Sequence, residues 1–138
     1  MERMNKEELI KLINSLKIDK NEFWILSSAM LVMRDLFPDA GDLDIAVTQK
    51  GLEQLKSNYN LVYEGKGFYE VNDLVECVCD DMNKLKYKPE FVNGYQLQNI
   101  YDYYERIKNS DREKDKLRIH IIEEYINTLS KSCNTKNH

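Results

Sequence analysis

The sequence predicts an α+β fold: a small mixed β-sheet of about four to five strands, with helices packed on one face and two C-terminal helices. Three observations predict it. Apolar residues recur at helical spacing near both ends of the chain, short apolar runs of strand type lie between them, and turn residues separate the runs. The length of 138 residues suits one domain over 1–130, with a polar tail expected to be disordered over 131–138. Hydrophobic residues at 42% and only 5 Gly and 2 Pro exclude a collagen-like, low-complexity or wholly disordered chain.

The elements follow in order. Asn5 with Glu8 three positions later reads as a capping box, and Leu9, Ile10, Leu12, Ile13 and Leu16 continue it as a helix over 6–17. Phe23-Trp24-Ile25-Leu26 is a short apolar strand, interrupted by Ser27 and Ser28. Residues 29–37 are apolar nearly all round, as in a buried helix, and Pro38 ends the run. Residues 42–47 form a strand and 51–57 a short helix. Residues 61–64 and 68–71 form a hairpin around Gly65-Lys66-Gly67, and 74–79 the last strand. Residues 80–94 read as irregular. One helix is expected over 95–108, and another from a capping box at Ser110–Glu113 to Leu129.

Charge narrows the function classes. Residues 35–81 hold 3 basic and 11 acidic side chains, net −8, whereas the whole chain carries −4. An acidic block repels nucleic-acid backbones, so nucleic acid is an unlikely partner, and it offers oxygen ligands to hard divalent cations. No apolar run is long enough to span a membrane, and the polar start does not resemble a signal-peptide core. Three cysteines, Cys77, Cys79 and Cys133, fit reduced thiols and an expected cytoplasmic location.

Asp42 and Asp44 stand two apart on a predicted strand, so both carboxylates project from one face. Such a pair repels itself unless a cation lies between, an arrangement suited to Mg²⁺ held by carboxylates and substrate phosphates. The spacing alone is common, since roughly four acid-x-acid pairs are expected from this composition. Its context is less so. The preceding strand feeds a buried helix through Ser27 and Ser28, and backbone N–H groups at a helix start bind phosphate.

Residues 24–47, WILSSAMLVMRDLFPDAGDLDIAV, resemble the signature of the nucleotidyltransferase superfamily (DNA polymerase beta-like fold): apolar strand, Gly-Gly or Gly-Ser, helix, then Asp-x-Asp. The closest flavour is the small bacterial group with lincosamide and toxin–antitoxin nucleotidyltransferases. The resemblance implies Mg²⁺-dependent transfer of a nucleoside monophosphate from an NTP to a hydroxyl of a small molecule or protein. It implies metal ligands and catalytic carboxylates at Asp42, Asp44 and a third acid on a later strand, either Glu76 or Glu70. It also implies phosphate contacts from Ser27, Ser28 and Lys114, the last in a Lys-Asp segment of a late helix. Ser27 departs from the family pattern. Its Cβ would strain a backbone required to take positive φ. That departure leaves open a catalytically degenerate protein that binds a nucleotide or a partner protein, as in toxin–antitoxin pairs. A homodimer fits the shortness of the chain.

Overall fold

The two central strands of the sheet, Phe23–Ile25 and Leu43–Val47, are largely buried, with Asp44 the one residue of the two that is not. The computed structural model describes residues 3–136, with side chains through Lys131. Five helices accompany a seven-stranded sheet: α1 (Lys6–Ser15), β1 (Phe23–Ile25), α2 (Ser27–Met33), β2 (Leu43–Val47), α3 (Gln49–Asn58), β3 (Val62–Gly65), β4 (Phe68–Glu70), β5 (Val75–Cys79), β6 (Glu90–Val92), β7 (Tyr95–Leu97), α4 (Ile100–Ile107) and α5 (Glu113–Lys136). The chain divides into two compact units, residues 1–99 with α1–α3 and the sheet, and residues 100–138 with α4 and α5.

The class is α+β with a mixed sheet, but the strand count exceeds the expected four to five. The order is β3-β4-β5-β2-β1-β7-β6. β2 and β5 run parallel, as do β1 and β7, and the remaining pairs are antiparallel. The additional strands are β6 and β7, which replace the expected irregular segment and the first turn of a helix over 95–108. Asn93 and Gly94 both take positive φ, 53° and 88°, and close this hairpin as a two-residue turn. Tyr95–Leu97 also fits a helical period, but the Asn-Gly turn decides in favour of a strand, and α4 starts only at Ile100.

Helix boundaries have local causes. Asn5 Oδ1 accepts from the Glu8 N–H at 2.9 Å while Glu8 Oε1 accepts from the Asn5 N–H at 3.1 Å, so the capping box is formed. α2 stops at Met33, before Pro38. Asp35 takes φ 63°, the Leu36 N–H bonds to Leu31 O and the Asp35 N–H to Val32 O, a Schellman ending with Asp in the left-handed position. The expected box at Ser110–Glu113 is absent. The Ser110 hydroxyl instead donates to Asp115 Oδ2 at 2.7 Å and accepts from the Arg112 N–H. The α5 backbone continues through 131–136, residues expected in the polar tail. Asn137, His138 and the Cys133 side chain lie outside the described residues.

In β2, Leu43, Ile45 and Val47 are fully buried, and in β5 Val75 and Cys77 share their face. Asp44 and Glu76 occupy the alternate face. Burial of the Leu/Ile/Val row contributes roughly 2 kcal/mol per side chain, which fixes the register of both strands. Among the described residues no helix is long and apolar enough to cross a membrane.

Candidate active site: a row of carboxylates across three strands

Parallel register places Asp44 of β2 beside Glu76 of β5. Antiparallel register places Glu70 of β4 beside Glu76 on its other side. Asp44, Glu76 and Glu70 thus form one row on one sheet face, at the strand spacing of about 4.8 Å. The two acids proposed for the third position therefore both join the row, with Glu76 adjacent to Asp44 and Glu70 one strand further out. Asp42 sits in the bend just before β2 rather than on the strand, and is exposed.

The electrostatics of the row centre on Glu76. Partial burial pushes its carboxyl up to about 7. A side-chain hydrogen bond with Glu64 and the charges of Glu64, Asp44 and Asp42 act in the same direction. The Glu76 carboxyl thus titrates near neutrality. No motif in the sequence marks Glu64. Glu64 lies where the β3–β4 register shifts, between Tyr63 and Gly65, and its side chain hydrogen-bonds that of Glu76. Beside the row a cleft of about 400 Å³ is lined by Asp42, Glu64, Glu70, Asp73 and Glu76, together with the turn leading into β5 and the first residue of that strand. Among the described residues no three His, Cys, Asp or Glu side chains are arranged as a ready-made metal cage. Hard carboxylate oxygens on neighbouring strands nonetheless match Mg²⁺, which is commonly held by one or two carboxylates plus water and substrate phosphates.

The β1–α2 turn adjoins this row. The Leu26 N–H donates to the backbone carbonyl of Asp44 at 2.9 Å. Ser27 follows with φ 54°, the left-handed conformation in which its Cβ is unfavourable. Its N–H, expected to be open at the helix start, donates to Gln98 Oε1 at 3.0 Å. Ser28 is buried. Gln98 is only 5% exposed, and no local sequence pattern marks it, because it reaches Ser27 through the parallel pairing of β1 with β7.

Four basic side chains have distinct environments. The Arg34 side chain is 5% exposed and already engaged, donating to Glu90 Oε1 at 3.0 Å and to the carbonyl of Gln98 at 2.7 Å. Lys50 is exposed on α3 and Lys66 on the β3–β4 turn. Lys114 is exposed on α5, in the second unit. Of the tyrosines, Tyr95 bonds to Asn14, Tyr103 is buried against Arg118, and Tyr104 donates to Glu123. Cys77 is a buried thiol whose pKa burial raises to about 11, which suits packing rather than nucleophilic chemistry. No protein-family model matches the chain, and comparison with curated proteins and with solved structures returns no match.

Proposed function

We propose that the chain catalyses Mg²⁺-dependent transfer of a nucleoside monophosphate from an NTP to a hydroxyl of a small molecule or protein. The observation that carries this reading is the adjacency of Asp44 and Glu76 on parallel strands, with Asp42 close enough to act electrostatically on Glu76. Asp42 and Asp44 would hold Mg²⁺, with Glu76 or Glu70 as the third carboxylate. When bound, the ion offsets charge on the triphosphate and on the leaving pyrophosphate. Glu76 takes the proton of the acceptor hydroxyl as that oxygen bonds to the α-phosphorus and the bond to pyrophosphate breaks. A carboxyl raised to about 7 is well matched to that general-base task. Ser27 and Ser28, which follow the Leu26 N–H bonded to Asp44, would be the phosphate contacts of this reading.

Calorimetry with ATP and GTP, with and without Mg²⁺, tests the reading. Binding that requires the metal and is lost in Asp42→Asn/Asp44→Asn supports it. Binding that ignores both the metal and the substitution sinks the catalytic reading. One observation favours a second reading, a degenerate module that binds a nucleotide or a protein partner of toxin–antitoxin type. The Ser27 N–H is occupied by Gln98, so that donor is not open to phosphate. Tight metal-independent nucleotide binding without pyrophosphate release would select it.

A further inference from the structure

A residue with a Cβ in the left-handed region persists only where its surroundings over-determine it, and such strain concentrates at functional sites. Ser27 is such a residue, at φ 54°, and two contacts bracket it. On one side, its neighbour Leu26 donates to the carbonyl of Asp44 at 2.9 Å. On the other, its own N–H donates to Gln98 Oε1 at 3.0 Å. Gln98 is itself fixed twice through its backbone. Its N–H donates to Ile25 O at 2.8 Å, and its carbonyl accepts from the nearly buried Arg34 guanidinium at 2.7 Å. Arg34 lies just past the C-terminal end of the helix that Ser27 begins, so both ends of α2 are tied to residue 98.

We infer that Gln98 is a positioning residue, which holds Ser27 left-handed through its side-chain carbonyl and thereby fixes the backbone of Asp44 for metal and nucleotide binding. The inference rests on the proposed function, because it assigns Asp44 a metal. Gln98 touches neither the metal nor the phosphates and acts through Ser27. Glycine populates the left-handed region freely, so a glycine at position 27 makes the Gln98 contact dispensable for the conformation. The two residues are therefore energetically coupled, and a double-mutant cycle reads that coupling.

The cycle comprises the full chain as wild type, Ser27→Gly, Gln98→Met and the double variant. Gln98→Met preserves most of the side-chain volume without the acceptor oxygen, and Gln98→Ala serves as a second variant if Met does not fold. With ATP and Mg²⁺ as probes, Gln98→Met is expected to weaken binding about tenfold in the wild-type background, the equilibrium equivalent of the left-handed penalty. In the Ser27→Gly background the loss is expected to be about twofold or less. Equal losses in both backgrounds, or no loss in either, overturn the inference. A lost side chain with a merely structural role would cost the same in each. Amide exchange at position 27 separates this from failure of the proposed function. If the wild type binds no nucleotide, that function falls. Faster exchange on Gln98→Met when serine is retained, suppressed when Ser27→Gly is also present, still establishes the coupling, and equal acceleration in both backgrounds refutes it.

Discussion

Replacing Glu76 by Gln removes the titrating carboxyl at the centre of the row and gives a signed, pH-resolved outcome. The folded carboxyl titrates near 7 against an ordinary 4.5. Between those values the folded chain keeps a proton that the unfolded chain has lost. Stability therefore declines as pH rises from about 4.5 to 7 and is level above. The full displacement corresponds to about 3 kcal/mol at most, and screening at this partly exposed group lowers it to about 1–2 kcal/mol. Gln mimics the protonated acid. Glu76→Gln should therefore match the wild type at pH 4 and exceed its stability by about 1–2 kcal/mol at pH 8. Urea unfolding without divalent cations, across that range, measures the difference curve, in which the other carboxylates cancel. Parallel curves for the two proteins, or a wild type that gains on the variant as pH rises, would refute the electrostatic account.

Further outcomes follow from single contacts. Ser27→Gly relieves a left-handed cost of about 1–2 kcal/mol and adds glycine's unfolded-state entropy, so urea unfolding should show a net gain of about 0.5–1 kcal/mol. Gly51→Ala should lose about 1–3 kcal/mol despite alanine's helix preference, because the new Cβ would meet the Glu22 carbonyl oxygen at 2.5 Å. A thermal melt that rises instead would show that the neighbouring backbone yields. Thr48→Ala removes the α3 cap on the Gly51 N–H and the 2.6 Å bond to Glu22, and circular dichroism melts should show about 1–2 kcal/mol of destabilisation. Added Mg²⁺ should raise the urea midpoint of the wild type at pH 8 and leave that of Asp42→Asn/Asp44→Asn unchanged, and equal shifts would place the ion elsewhere.

What the sequence made legible were features with short-range signatures. The short apolar runs through 43–47 and 75–79 mark the strands that carry Asp44 and Glu76, and the Asn5–Glu8 pair marks the start of α1. The departure at Ser27 is visible as a serine where the resembling family has glycine. The positive φ there is the conformation that makes the departure costly. Three features were hidden for different reasons. The β6–β7 hairpin has a strong turn signal at Asn93-Gly94, but Leu97, Ile100 and Tyr104 mimic a helical stripe. Glu64 meets Glu76 across two strand pairings, β3 with β4 and β4 with β5, which no local motif reveals. Gln98 meets Ser27 by a pairing of strands distant in sequence, which periodicity cannot reveal.

That last separation bears on how the molecule comes to be. Ser27 and Gln98 lie 71 positions apart, whereas β3, β4 and β5 are near neighbours along the chain. Closing so wide a loop carries an entropy cost that the local hairpins avoid, and contacts of this kind form late in folding. On a ribosome, β1 to β5 emerge before residue 98 does, so the sheet can pair while the turn at Ser27 is still unheld. A nascent chain halted before β7 would possess the carboxylate row without the contact that sets its neighbouring turn, a form with the ingredients of the site and not its geometry.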